Sequence, residues 1–199
     1  MALTRDVILD AALRVIRERG LAKATTKEIA KAAGFSEAAL YKHFADKSEI
    51  FLGVLQERSP GFQPLQAALA AQPGTATLAH NLTEIAVAAL AFYRDNFPLF
   101  GSIFAEPAIF DAHRLRLRQL GAGPHKVNDA LAGYLRAEQG LGRVHADADV
   151  AAAADLLLGA CFQQAFLNHF QGRGPDAGRG LDAATAARHT KLLLPVLEP

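Results

Sequence analysis

Tryptophan is absent from this 199-residue chain, and cysteine and methionine occur once each. A single thiol, Cys161, excludes an internal disulfide framework and suits a reducing cytoplasm. Net charge is nearly absent too: 21 Lys/Arg stand against 20 Asp/Glu, so the chain is no bulk polycation. Any affinity for a charged polymer must rest on where a few charges are placed. No long apolar run is present. The longest, Ile85 to Tyr93, is too short to cross a bilayer core of ~30 Å, and no membrane partner is expected. Arg5 and Asp6 interrupt the first apolar run, so no signal peptide is expected. Convincing strand alternation, internal repeats, a Gly-rich phosphate loop, a GxSxG elbow and an HExxH pair are all missing. No catalytic residue, metal ligand set or cofactor site is therefore expected.

What is there is helical periodicity and apolar bulk. Apolar residues make up 51% of the chain, enough to bury a sizeable core. Residues 1–50 carry nine Lys/Arg against seven Asp/Glu, a slight basic excess that the remainder lacks. Within them, residues 25–47 read TTKEIAKAAGFSEAALYKHFADK. Thr25 can cap a helix, and Glu28 three positions later completes a capping box. Ile29, Ala30 and Ala33 give a narrow apolar face. Gly34 follows where a helix must end at positive φ. Ser36 can cap a second helix, whose Leu40 and Phe44 share a side at i and i+4. Two short helices joined by a glycine turn form a unit able to place its second helix in a DNA major groove.

Beyond that unit, Lys47 to Arg58 reads as a fourth helix that Pro60, Gly61 and Pro64 interrupt or end. Pro73-Gly74 marks a turn. Thr75 to Asn96 suits a long helix, Phe97 to Ala105 a short one, then Ala108 to Leu120 and Pro124 to Gln139. Asp147 to Phe170 is a long apolar helix with Asp147 or Asp149 as its N-cap. The glycine-rich stretch 171–180 is expected to be a loop, and Leu181 to Val196 a final amphipathic helix. The fold class is all-α, with nine to ten helices.

Thr4 to Leu55 resembles the DNA-binding domain of the TetR family of transcriptional regulators. The resemblance rests on the apolar periodicity Val7, Ile8, Ala11, Ala12, Val15, Ile16, then Gly20, TTKEIAKAAGFS and LYKHFADKSEIF, and it covers about the first quarter of the chain. It implies a three-helix helix-turn-helix domain at 1–47 and a helical ligand-binding and dimerisation domain at 48–199. It also implies DNA contacts from the start of helix 2, from helix 3 and from the start of helix 4. Carried over by residue, these are Thr25, Thr26 and Lys27; Ser36, Glu37 and Ala38; Tyr41, Lys42 and His43; and Lys47. Thr hydroxyls and helix N-terminal amides suit phosphate, and Lys27 suits a guanine edge. Glu37 can accept from a cytosine amine and Ala38 can touch a thymine methyl. Glu37-Ala38 departs from the Lys-Gly or Arg-Gly frequent in the family at that point. Leu40 and Phe44 belong to the core.

The second domain is rich in phenylalanine. An apolar or aromatic effector pocket and a plain core are both compatible with that content. The candidate effector contacts are Phe92, Phe104, His113, Phe162, Gln163 and Phe166. Gln163, Asn168 and His169 interrupt an apolar helix, and buried polar groups need partners. His80 with Glu84, and His125 with Asp129, share helix faces but supply two ligands, not four. His145, Asp147 and Asp149 read better as a loop histidine and a helix cap. Cys161 reads as a small buried hydrophobe.

Together these imply a cytoplasmic, homodimeric, ligand-responsive regulator, a repressor, with double-stranded operator DNA and a small effector as partners and no cofactor. The resemblance places the dimer contact on residues 147–170 and 181–196. A two-fold dimer spaces its recognition helices by about one DNA turn (~34 Å) or a multiple, so the operator should be a near-palindrome. Two rival readings are a DNA-binding protein without a ligand, and an enzyme with an incidental helical hairpin.

Overall fold

The computed structural model describes residues 2–21, 23–173 and 180–199. Among the described residues ten helices run in order: α1 Ala2–Arg19, α2 Thr26–Ala33, α3 Glu37–Leu40, α4 Lys47–Glu57, α5 Phe62–Leu69, α6 Leu78–Phe104, α7 Pro107–Gln119, α8 His125–Gly140, α9 Val150–Phe170 and α10 Asp182–Leu197. No strand occurs among the described residues. Of the expected loop 171–180, residues 174–179 lie outside the described residues. The chain divides into two compact units, Met1–Ser59 with Pro98–Gly121, and Pro60–Phe97 with Ala122–Pro199. The first unit therefore runs past residue 47, taking in α4, the end of α6 and α7.

The first unit is built on α1. Ile8, Leu9, Ala12, Val15 and Ile16 are buried and recur at helical spacing, one stripe facing inward. Against that stripe pack Ile29 and Ala30 of α2, Leu40 of α3, Phe44, and Ile50, Phe51 and Val54 of α4. Leu99, Ile103 and Ile109 complete the same cluster from the returning chain. At the surface, Arg5 holds Glu57 through two hydrogen bonds of 2.6 and 2.8 Å, and Arg58 holds Asp10 at 2.8 Å and also Asp6. Arg5's hydrogen bond keeps the Glu57 carboxyl below its ordinary pKa. Such exposed pairs each stabilise by well under ~1 kcal/mol, so the apolar stripe dominates.

The second unit pairs α8 with α9, α9 with α10 and α5 with α8. It contains a buried polar knot. Asn81 donates to the Tyr134 hydroxyl at 2.8 Å, Tyr134 donates to Glu138 at 2.7 Å, and the Gly74 amide donates to the same carboxylate oxygen at 3.2 Å. Arg143 approaches the other oxygen at 3.3 Å as an ion pair without hydrogen-bond geometry. Burial and the bond to Glu138 push the Tyr134 hydroxyl up to about 12. Arg94, also buried, pairs with Asp95 at 3.1 Å and with Asp182 at the start of α10. Cys161 is fully buried, its thiol donating to the Ala86 carbonyl at 3.7 Å and pushed by burial up to about 12.

One expectation is corrected and two are refined. Thr75–Asn96 and Phe97–Ala105 are not two helices: α6 runs unbroken through Pro98. An interior proline costs about 3 kcal/mol. Buried Phe92 before it and buried Leu99 and Ile103 after it offset that cost. The expected break at Pro60, Gly61 and Pro64 is present, since α4 ends at Glu57, but the same residues also introduce a further short helix, α5. Gly61 takes φ 74° as its N-cap, and Pro64 falls in the first turn, where its missing N–H costs nothing. Asn96 fixes the start of α5 by donating to the Pro60 carbonyl at 2.7 Å. Of the two expected caps for α9, Asp149 is the one used, accepting from Ala151 and Ala152 at 3.1 and 3.0 Å. At 21 residues, α9 is long and apolar enough to cross a membrane by length and composition alone. The core helix of a water-exposed bundle passes the same test, and α9 buries Ala153, Ala154, Leu157, Leu158, Cys161 and Ala165.

Two left-handed glycines allow a comparative test. Gly34 has φ 75° and nothing within 4 Å of where a Cβ would stand. Gly61 has φ 74°, and a Cβ there would meet the Phe92 Cα at 3.3 Å. Gly34→Ala should cost about 1–2 kcal/mol, the backbone penalty alone. Gly61→Ala should cost more, because backbone must also move. Urea unfolding of both variants checks the order, and equal losses would refute the steric argument.

Candidate nucleic-acid interface

The turn from α2 to α3 is set by side chains that satisfy backbone groups. Thr25 lies in extended backbone before α2, and its Oγ1 accepts from the Glu28 amide at 3.2 Å. Glu28 returns the bond, accepting from the Thr25 amide at 3.3 Å, so the capping box is complete. That backbone bond, with Arg19 paired to the same carboxylate, lowers the Glu28 pKa. Arg14 reaches the Ala32 carbonyl at 2.9 Å and ties α1 to the end of α2. Gly34 turns the chain left-handed, and the Phe35 amide donates to the Ala30 carbonyl at 3.0 Å, closing the helix end. Ser36 Oγ then accepts from the Ala39 amide at 3.2 Å and starts α3.

α3 holds only four residues before the chain relaxes into turns at 41–43. Leu40 and Phe44 are buried as expected, anchoring both sides of this segment, and the Arg5 guanidinium lies 5.2 Å from the Phe44 ring centre. Asp46 caps α4 by accepting from the Glu49 amide at 2.9 Å.

Around this scaffold the sequence-predicted DNA residues fall into distinct environments. Thr25, Lys27, Ser36, Glu37, Ala38, Tyr41 and Lys42 are exposed, and Thr26, His43 and Lys47 are half-buried. Lys27 and Lys42 present charge to solvent. Tyr41 is 51% exposed, unusual for a large ring with a core beside it. Lys47 is turned inward: its Nζ donates to the Leu21 carbonyl at 3.4 Å and lies 5.0 Å from the Phe51 ring centre. An ammonium has three hydrogens, so Lys47 keeps donors for a phosphate. The hydroxyls are differently placed. Thr25 donates to Glu28 at 3.4 Å, and Thr26 donates to Glu37. The Thr26–Glu37 bond joins residues eleven positions apart, and no sequence signal of spacing or propensity announces it. Lys23 and Lys31 are also exposed nearby in sequence and were passed over because neither lies in the motif positions carried across.

The candidate effector residues separate. Phe92, Phe162 and Phe166 join one run of rings in the second unit. Phe92 meets Phe62 at 5.8 Å and Tyr93 at 5.3 Å, Tyr93 meets Phe162 at 5.4 Å, and Phe97 meets Phe162 and Phe166 at 5.7 and 5.8 Å. Phe104 and His113 belong to the first unit and are not part of this run. Phe104 is 65% exposed and touches Phe110 at 5.5 Å. His113 Nδ1 is buried without a hydrogen-bond partner, and burial lowers its pKa. The polar interruptions of α9 are not buried, contrary to expectation. Gln163 and His169 are exposed, and half-buried Asn168 accepts from Gln164 at 3.1 Å. No group of three or more metal-binding side chains occurs among the described residues.

Comparison with known proteins follows the same division. Residues 8–54 match the family described as bacterial regulatory proteins, tetR family. The HTH-type transcriptional repressor BepR of Brucella suis biovar 1 (strain 1330) is 40% identical over 92 residues, 45% of this chain and 43% of that protein. The matched segments thus span less than half the length of such curated relatives. Solved structures extend the likeness over the whole chain at the level of fold. A TetR-family transcriptional regulator from Mesorhizobium loti MAFF303099 superposes with a TM-score of 0.82 at 19% identity, covering 100% of this chain and 98% of that one. The transcriptional regulator FadR from Bacillus subtilis, solved in complex with stearoyl-CoA, gives 0.68 at 18% identity over 96% and 97%. Residues 8–54 thus match the tetR family of bacterial regulatory proteins in sequence, and the described helices share the fold of solved TetR-family regulators.

Proposed function

We propose that the protein is a cytoplasmic transcriptional regulator that represses by binding a near-palindromic operator as a homodimer, and is released by a small apolar or aromatic effector. Residues 1–47 carry DNA binding in this reading, and 48–199 carry the effector and the dimer contact. The observation that carries it is the α2–α3 turn. The capping box, the left-handed Gly34 and the Ser36 cap hold a short helix by its buried side chains and leave Lys27, Glu37, Ala38, Tyr41 and Lys42 facing solvent. A segment so firmly anchored and so polar outward suits the major groove.

Dimerisation is supported by a different surface. α9 exposes Leu156, Phe162, Phe166, Leu167 and Phe170, and α10 exposes Leu192 and Val196. Large apolar side chains clustered on two neighbouring helices are costly in water and mark an interaction face. A second copy of the chain covers them in our reading, forming a four-helix contact. The effector class rests on the ring run from Phe62 through Phe166 and on the acyl-chain ligand of the Bacillus subtilis neighbour. Gel-shift of the full-length protein against DNA flanking its own coding region tests the reading. A retarded band that an added effector abolishes supports it. A band insensitive to every apolar ligand tried favours a DNA-binding protein without one.

Lys47→Ala should weaken binding to all duplexes about equally and lower the slope of log affinity against log salt by roughly one unit, the effect of one lost phosphate contact. An unchanged slope would leave Lys47 only its internal bond to Leu21. Leu156→Glu combined with Leu192→Glu should give a folded monomer by light scattering, because both side chains are 64% or more exposed in the single chain. Operator affinity should fall by ~10²–10⁴ as avidity is lost. A double variant that stays dimeric would move the interface elsewhere.

A further inference from the structure

The Thr26–Glu37 hydrogen bond constrains how these two residues can meet DNA. A hydroxyl owns one hydrogen, and Thr26 gives it to Oε1 of Glu37. Phosphate oxygens at neutral pH only accept. Thr26 therefore cannot donate to a phosphate and hold Glu37 at the same time. Thr25 is committed likewise, to Glu28. The donors left at the start of α2 are the Lys27 ammonium and the first backbone amides, and these suffice for a phosphate without either hydroxyl.

Glu37 is the first residue of α3 and is exposed. A carboxylate at a base edge can only accept. The major groove offers it two amines, N4 of cytosine and N6 of adenine. Adenine presents the N7 acceptor beside its amine, which repels the second carboxylate oxygen. Cytosine presents no acceptor beside its own. A carboxylate free to rotate could avoid the duplex altogether. One pinned by Thr26 at one oxygen keeps its other oxygen in a fixed direction.

We infer that Thr26 is a positioning residue: its hydroxyl fixes the Glu37 carboxylate to accept from the amine of a cytosine in each operator half-site, and it is not a phosphate contact. The inference rests on the DNA-binding reading above and deepens it. Thr26 acts through Glu37, so the two should behave as one unit in base selection and not in overall affinity.

The experiment is selection of binding sites from random duplex DNA by the full-length protein and by Thr26→Val, Thr26→Ser, Glu37→Ala and the Thr26→Val/Glu37→Ala double variant. Affinities are then titrated on the selected site and on the same site with one base pair exchanged. The wild type should enrich cytosine at one position of each half-site, and Glu37→Ala should lose that preference. Thr26→Val keeps the β-branched shape and should lower the preference at that position by roughly tenfold, the scale of a base-edge contact, leaving other positions and the salt slope alone. Thr26→Ser should keep it, and the double variant should be no worse than Glu37→Ala. Thr26→Val that weakens all sequences equally, with the base preference at that position kept, would make Thr26 a phosphate contact and overturn the inference. Retained cytosine preference in Thr26→Val would reduce the bond to a staple between helices, with the same result. A Glu37→Ala protein that selects the wild-type site would overturn the inference while leaving DNA binding intact. A wild type that enriches no duplex would overturn the DNA-binding reading itself.

Discussion

A helix of four residues cannot hold itself together. One turn fixes several dihedral angles in return for a hydrogen bond or two, and isolated helices remain marginal even at ~12–15 residues. α3 exists because Leu40 and Phe44 are buried against the stripe on α1, and because Ser36 closes its first turn. Fully burying a side chain of that size contributes about 1.5–3 kcal/mol, so the two together outweigh a cap bond of about 1 kcal/mol. Everything proposed for the outward residues depends on this inward grip. A recognition surface that moved by an ångström would lose the geometry of a base-edge hydrogen bond.

The same principle explains which parts of the architecture sequence reading could reach. The capping box at Thr25 and Glu28, the positive φ at Gly34 and the cap at Ser36 are local events, each completed within a few residues. Their signals therefore survive in the sequence, and the structure shows each as expected. α5 and the continuity of α6 were illegible for the opposite reason. Pro60, Gly61 and Pro64 do break helical structure after α4, but burial of Leu65 lets α5 start at once, and burial of Phe92, Leu99 and Ile103 outweighs the breaking signal of Pro98. Those gains come from partners far away in sequence, which no window on the chain contains.

Polarity on α9 was misread through a related assumption. An apolar helix with Gln163 and His169 in it suggested buried polar groups in want of partners. The helix instead has two apolar faces. One, with Leu157, Leu158 and Cys161, is buried within the chain, and the other, with Leu156, Phe166 and Phe170, is exposed together with Gln163. A helix that is apolar nearly all round shows weak amphipathic contrast, so periodicity cannot assign its faces. The exposed apolar face of a single chain is the kind of surface that a mate would cover. Interfaces of that kind tolerate amides and histidines at their rim.

For the proposed nucleic-acid surface, motif position names residues but says nothing of their engagement. Motif position marked Thr25, Thr26, Glu37 and Lys47 as contacts, as if each side chain waited unoccupied. The folded chain has already assigned their hydrogens: Thr25 to Glu28, Thr26 to Glu37, and one of Lys47's to Leu21. Donor count then sorts them. Lys47 can give one hydrogen inward and still offer others, whereas a threonine hydroxyl has nothing left to give. The phosphate contact proposed for the lysine is thus compatible with its internal bond, and a like role for the hydroxyls does not follow from their place in the motif. A charged acceptor such as Glu37 beside DNA reduces general affinity and sharpens discrimination, because every sequence without a matching donor leaves it unpaired.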